Sequence, residues 1–460
     1  MTTAANVGVR LESLLGADRV TGAAEDLQDF AIAGLLPSAV VRPASAEEVT
    51  QVVQFALKEN LSLIPCGSRS KLEIGAPPSR YDVAVDTTSL QSIAHYDAGD
   101  LTLAVDAGLP LRRLTEILAE KNQFLPLAVP CFESCTVAGV VASGIDSSLR
   151  LQYGTARDFL IGAEFVDGAG KLCKSGGRVV KNVTGYDLHK LLVGSLGTLG
   201  IITRLNFRTF PLPESSRGHL ASFASVEDAL SYYKIVNATG LPLANVELLS
   251  PEVASIIAAI LKRTDLSLSR FAESDKWYVY VAFEGHESVL RRIAEELEKH
   301  AREGRAQTHE LLEQTADETL GGMLREAYEW LRWSAPQVAL VRIVVPTALA
   351  NDLAEFARIA QTNSLQHALL VRAEGVLYLA LMASNSDEAA LAALRNAVRD
   401  IFLAAREKKG HAKLLHAPVT VTAFAAEPPP HGLALSVEKR VRQAFDPHNI
   451  FAPGRIVGAA

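Results

Sequence analysis

The sequence predicts an α+β fold of two or three domains, and three observations carry that expectation. The chain has 460 residues, 48% of them hydrophobic, enough for a large core and too many for one typical domain. Up to Pro213, short apolar strands alternate with amphipathic helices. Beyond Pro213, long Ala/Leu/Glu-rich helices alternate with strands, the pattern of an α+β cap. The expected divisions are a helical lead-in over 1–35, a first α+β domain over 36–213, a cap over 214–428, and a C-terminal helix and tail over 429–460 that returns to the first domain.

The elements follow in order. "SAEEVTQVVQFALKENL" opens on Ser45 with Glu48 three residues later, a capping-box signature. Val49, Val52, Val53, Ala56 and Leu57 then share one helical face. "LSLIP" is a short strand, and "YDVAVD" and "DLTLAVD" alternate as half-buried strands do. "LPLRRLTEILAEKNQ" is a second amphipathic helix. "IGAEFVDGAGKLCKSG" reads as a hairpin across an Asp-Gly turn. "DLHKLLVG" is a short helix ended by Gly194, and "GIITRLNFRTFPLP" is a strand broken at Pro211 and Pro213. In the cap, "ESVLRRIAEELEKHAREG" is helical, while "KWYVYVAFEG", "QVALVRIVVP" and "GVLYLALMA" are strands. "EPPPHG" is a linker before the last helix, "LALSVEKRVRQAF".

Composition excludes several classes of function. A net charge of −7 gives no general attraction to nucleic acid or anionic membrane. No apolar run is long enough to cross a bilayer, and the N-terminus lacks a secretory signal pattern. Cys66, Cys131, Cys135 and Cys173 have no zinc spacing and form no disulfide framework. A cytoplasmic protein without a bound metal is expected.

Three stretches are candidates for chemistry. In "IPCGSRSKLEIG" a strand ends in a polar turn, Pro65 then Gly67, Ser68, Arg69, Ser70 and Lys71, able to aim N–H groups and a cation at a diphosphate. In "CTVAGVVASG" the small residues Ala138, Gly139, Ala142, Ser143 and Gly144 allow close approach of a flat ligand or tight helix packing. In "KNVTGYDLHKLLVGSLGTLGIITRL", Gly194, Gly197 and Gly200 recur every third residue after a helix and before a strand. That order is the reverse of a Rossmann unit, so a nicotinamide site of that type is disfavoured. Downstream, Arg342 lies mid-strand and is either a cation awaiting a carboxylate or a partnered structural arginine. His411 and His416, five apart, form no ligand pattern. Trp330 and Trp333 read as packing or subunit contact.

The order and spacing of these stretches resemble the flavin-binding domain of the vanillyl-alcohol oxidase / p-cresol methylhydroxylase (PCMH-type) superfamily. "VVRPASAEEVTQVVQFA", "IPCGSRSK", "TVAGVVASG", "YGTARDFLIGAEFVDGAGKL", "GSLGTLGIIT" and the tail "FDPHNIFAPGRI" carry the match. "GGRVVKNVTGYDLHKLLVGSLGTLGIITRL" is most similar to the flavin-binding subunits of bacterial glycolate oxidases, and "VRIVVP" and "GHAKLL" are weaker echoes. The resemblance implies a two-lobed FAD-binding domain plus an α+β cap or substrate domain. FAD would contact Pro65, Gly67 to Lys71, Thr136, Val137, Ala138, Gly139, Ser143, Gly144, Gly154, Gly197, Gly200, Ile201 and Ile202. Arg342 and His411 are the catalytic candidates. With no histidine near Gly67, the resemblance implies non-covalent FAD. Ser68 and Arg69 stand where the family favours glycine, and Ala452 where it favours asparagine. The family's metal-binding Gly-Asp-Gly-Asn-x-His and Glu-His-Gly stretches are missing.

The implied activity is oxidation of a small 2-hydroxy acid of the glycolate type. It would run in a complex with a second FAD subunit and an iron–sulfur subunit, through which the chain could reach the inner membrane. The alternatives are a non-catalytic FAD subunit supporting a catalytic partner, a self-sufficient sugar or lactone oxidase, and a NADPH-dependent reductase.

Overall fold

The computed structural model describes residues 4–178, 185–263, 275–346, 349–373, 375–423 and 433–456. Residues 179–184, which open the glycine-rich stretch, and the expected linker at 427–432 lie outside them. Three sheets organise the rest.

The first sheet has the order Val20–Thr21, Ala39–Val41, Val83–Asp86, Leu63–Cys66. Val83–Asp86 runs parallel to both its neighbours. It is buried on both faces, not half-buried as its alternation suggests, because a central parallel strand is covered on each side. Ala46–Glu59 packs Val49, Val52, Val53 and Ala56 into the core. Ser45 accepts the Glu48 N–H at 3.2 Å. Only that half of the expected box forms: the Glu48 carboxylate accepts from the Ala44 N–H at 2.7 Å and pairs with Arg19.

The second sheet is antiparallel, in the order Ile93–Asp97, Thr102–Asp106, Ile201–Arg208, Leu160–Val166, Leu172–Gly176. Its last two strands are the expected hairpin. Thr102–Asp106 is again fully buried. Pro211 does not simply break the chain, since Phe210–Pro211 pairs with Gln123–Phe124 at an edge where proline's missing N–H is tolerated.

The third sheet has eight antiparallel strands, in the order Thr308–Leu312, Ser215–Phe223, Trp277–Gly285, Leu243–Leu249, Gln366–Arg372, Val376–Ala383, Gln337–Val344, His411–His416. Alternation of side chains gives it two apolar faces. One joins the core of the first two sheets through Leu249, Tyr280, Leu340 and Tyr378. The other packs against the helices Val226–Ala238, Glu287–Glu303, Leu349–Thr362 and Glu388–Glu407. The tail then returns: the Leu63 N–H donates to the Ile450 carbonyl at 2.7 Å, and the Ala452 N–H to the Leu63 carbonyl at 2.8 Å. Asp446 fixes this return by accepting the Ile450 and Phe451 N–H groups. Among the described residues no helix is long and apolar enough to cross a membrane.

Candidate functional site

The three glycine-bearing stretches meet at one cleft between the first and second sheets. Pro65 and Gly67 to Lys71 line it from the first stretch, Thr136, Ala138, Gly139 and Ser143 from the second, and Gly197, Gly200 and Ile202 from the third. Van der Waals contact forces the convergence. A Cβ on Gly67 would lie 2.2 Å from Thr136 Oγ1, and one on Gly197 would lie 2.4 Å from Pro65 Cγ. The Gly194 N–H donates to the Val141 carbonyl at 2.9 Å and the Leu196 N–H to the Ala142 carbonyl at 2.8 Å. The third stretch is thereby hydrogen-bonded to the helix Val137–Ser143.

Four expected contacts are placed elsewhere. Val137 and Ile201 are buried in the core. Gly144 ends the helix at φ +61° and touches the Gly194 backbone, where a Cβ would come within 2.8 Å. Gly154 caps Arg150–Tyr153 and faces Asp158. The expected helix before Gly194 is a 3₁₀ turn, Leu188–Leu191, which ends at Leu192. Gly200 adopts φ +151°, and a Cβ there would meet the Val166 carbonyl at 2.8 Å.

The turn after Pro65 presents groups of the kind that can receive an anion. The N–H groups of Gly67, Ser68, Arg69, Ser70 and Lys71 have no acceptor among the described residues. Arg69 takes φ +66° despite its side chain. Its guanidinium lies over the Phe30 ring at 4.6 Å, with Asp29 at 4.0 Å, and these contacts hold the conformation that glycine would take without strain. Lys71 is buried and donates to the Pro130 carbonyl at 2.8 Å. Adjacent free amides with a cation alongside fit a diphosphate. The small residues Ala138, Gly139 and Ala142 leave room for a flat group.

Thr87, Cys66 and Arg455 also line the cleft, and reasoning from sequence assigned them nothing. Arg455 carries the clearest signal. Its Nη2 donates to the Leu72 and Ile74 carbonyls at 2.6 and 2.5 Å. Its Nε and Nη1 are buried without a partner among the described residues. Burial lowers this guanidinium to about 10, a cost that the nearby Tyr81 partly offsets. Such orphaned donors call for an acceptor. The hint in the sequence is the tail motif, in which Ala452 was singled out and Arg455 was not.

A second cavity of about 250 Å³ shares Leu196 and Arg455 with the cleft and brings in Arg342, His411 and Lys413 from the third sheet. Arg342 is the partnered arginine of the two alternatives: its Nε donates to Asp146, which also accepts from Arg150 at 2.5 Å and from the Tyr378 hydroxyl at 3.4 Å. Burial and then the Arg342 charge push the His411 imidazole below its ordinary range, against the opposing pull of Asp146. His416 lies outside this cavity, 3.2 Å from Glu73. Trp330 donates to the Met323 carbonyl, a packing contact, whereas Trp333 is exposed. Cys135 is a buried free thiol. No three His, Cys, Asp or Glu side chains gather as metal ligands among the described residues.

A turn of free amides that fits a diphosphate, joined to small-residue walls and facing a cap sheet, is an arrangement that suits a flavin-dinucleotide oxidoreductase. Comparison with known proteins agrees. Residues 37–176 match the FAD binding domain family and residues 212–456 match the C-terminal domain of FAD linked oxidases. The chain belongs to this family of FAD-dependent oxidoreductases. It is 25% identical over 425 residues to glycolate oxidase subunit GlcD of Bacillus subtilis, spanning 92% of this chain and 89% of that one. It is 34% identical over 187 residues to glycolate oxidase subunit GlcE of Escherichia coli, covering 40% of this chain and 53% of that one. A D-2-hydroxyglutarate dehydrogenase of Xanthomonas citri is 33% identical over 39% of this chain and 38% of its own length. Among solved structures, p-cresol methylhydroxylase superposes with a TM-score of 0.77 at 15% identity, covering 99% of this chain and 97% of that one. The fold is therefore of the PCMH type.

Proposed function

We propose that this chain is the FAD-carrying subunit of a 2-hydroxy-acid oxidoreductase, related in its chemistry to glycolate oxidase and working in a multi-subunit assembly in the cytoplasm. The observation that carries this reading is the cation-lined cavity contiguous with the flavin cleft. FAD would be held without a covalent bond, its diphosphate on the N–H groups of Gly67 to Lys71, with Thr136, Ala138, Gly139, Ser143, Gly197, Gly200 and Ile202 along its length. Bound there, FAD supplies a two-electron acceptor for a hydride from the carbon bearing the hydroxyl. Arg342, already oriented by Asp146, offers a guanidinium to the substrate carboxylate. His411, kept neutral by its lowered pKa, accepts the hydroxyl proton on a ring nitrogen. The third sheet forms one wall of the cavity through Arg342, His411, Lys413 and Leu414. With four cysteines and no cluster spacing, onward electron transfer is assigned to an iron–sulfur partner and a second flavin subunit, which GlcD and GlcE as subunit names support.

A second reading has its own observation. Because Arg342 is committed to Asp146, the chain could hold FAD for relay while a partner oxidises the substrate. One experiment separates the two. The tagged chain is purified with whatever accompanies it, its flavin content measured, and a panel of 2-hydroxy acids added without oxygen. Flavin bleaching by the chain alone supports the first reading, and bleaching only with partners supports the second. A flavin-loaded assembly that no 2-hydroxy acid reduces sinks both.

A further inference from the structure

Residues 130–132 tie the third-sheet region to the turn after Pro65, and they do so through strained backbone. Cys131 takes φ +58°, a left-handed conformation that a residue with a Cβ adopts only at a cost. Groups from the far side of the cleft hold it there. Glu326 stands between the helices Gln314–Arg325 and Ala327–Arg332. Its carboxylate accepts the Cys131 N–H at 2.6 Å and the Phe132 N–H at 3.3 Å. Glu329, one turn on, accepts from the Cys131 thiol at 2.9 Å. The Arg325 guanidinium covers the Phe132 ring at 4.6 Å. Glu326 and Cys131 are 195 positions apart, so no local requirement of the chain places them together.

The consequence falls on Lys71. It is buried, and among the described residues its ammonium meets neutral acceptors, the Pro130 carbonyl at 2.8 Å and the Ser70 hydroxyl at 3.5 Å. A buried cation with neutral partners alone is completed by an anion. The Pro130 carbonyl and the Cys131 N–H belong to one peptide unit. That unit is planar and trans, so its two polar groups point in opposite directions. The N–H faces the Glu326 carboxylate and the oxygen faces the Lys71 ammonium. A carboxylate on the N–H polarises the peptide and makes its oxygen a stronger acceptor.

We propose that Glu326 is a positioning residue for the cofactor: through the peptide joining Pro130 to Cys131 it fixes the Lys71 ammonium beside the amides of Gly67 to Lys71. Docking of the third-sheet region is thereby part of holding the FAD diphosphate. This rests on the reading that the diphosphate lies on that turn. Without the Glu326 carboxylate, Cys131 is released from its strained conformation and the ammonium loses its aim.

The test is a double-mutant cycle read as FAD affinity. FAD is titrated into the flavin-free chain and its fluorescence is followed. Lys71→Met should weaken binding about tenfold, the size of one charge-assisted hydrogen bond. Glu326→Ala should weaken it nearly as much, and Glu326→Leu, which fills the space, replaces it if the alanine variant folds poorly. In the Lys71→Met background the same change at Glu326 should matter less than about twofold, because no ammonium remains to be aimed. An equal loss in both backgrounds would mean that Glu326 supports the fold alone, and would overturn the proposal. So would parent-like affinity in the Glu326 variants when Lys71→Met binds weakly. Parent-like affinity in Lys71→Met would instead overturn the placement of the diphosphate, and the proposal with it.

Discussion

The candidate flavin cleft and the cationic cavity beside it share Leu196 and Arg455, yet they are built in opposite ways. The cleft is made of backbone. Its recognition groups are amides on short contiguous stretches, and its shape depends on side chains that are missing. The cavity is made of side chains from distant parts of the chain, and its character depends on how their charges are paired. A backbone site should tolerate loss of a side chain and fail on gain of a Cβ. A side-chain site should do the reverse.

The largest expected effect comes from adding atoms to the cleft. Gly67→Val puts its Cβ 2.2 Å from Thr136 Oγ1, so the end of the strand and the N-cap of the helix must separate. Overpacking of this kind costs about 1–3 kcal/mol or more, and it displaces the amides proposed to hold the diphosphate. The purified variant should carry little or no FAD, read as flavin absorbance per protein. Ser68→Ala, which leaves the amide in place, should keep FAD occupancy within about twofold. If the order were reversed, the side chains and not the backbone would hold the cofactor. Gly200→Val belongs with Gly67→Val, for a reason internal to the fold: its Cβ meets the Val166 carbonyl before it reaches any ligand.

Removing a charge probes the cavity. Asp146→Asn leaves the Arg342 and Arg150 guanidinium groups without their carboxylate in a largely buried setting. An uncompensated buried charge costs about 3 kcal/mol, measured as a lower urea midpoint with an unchanged slope. FAD content should fall much less than in Gly67→Val. A loss under ~0.5 kcal/mol would mean that solvent already screens these pairs, and the cavity would no longer be a strongly cationic one.

The same contrast explains what could be read from the sequence. Thr136 capping its helix, Gly67 against Thr136 and Gly197 against Pro65 are local requirements, and each leaves a mark within a few residues. The glycines therefore showed the cleft, even though Gly144 and Gly154 turned out to serve chain packing. Asp146 left no such mark. It stands 196 positions from Arg342, and only the third sheet brings them together. Arg455 was hidden for a similar reason: its environment forms when the tail pairs beside Leu63. The burial of Val83–Asp86 on both faces was likewise decided by its place between two parallel neighbours, not by its own residues.

The smallest effect lies where the two regions are tied at the surface. Glu73, at the end of the turn that follows Pro65, accepts from His416 at 3.2 Å and pairs with Arg332 at 3.4 Å, both from the third sheet and its helices. The His416 contact holds the Glu73 carboxyl below its ordinary range, against the opposing effect of burial and with help from Arg332. A carboxylate depressed on folding contributes stability above its unfolded value of about 4.3 and loses it as pH falls through the lower folded value. Glu73 is more than half exposed, so solvent screening keeps the contribution to about 0.5 kcal/mol. Glu73→Gln should therefore be slightly less stable than the parent at pH 7, and the gap should close as the pH drops well below 4. A gap that persists in acid would show that the strap works through shape and neutral hydrogen bonds. The link between cleft and cap would then belong with the backbone-built region and not with the charged one.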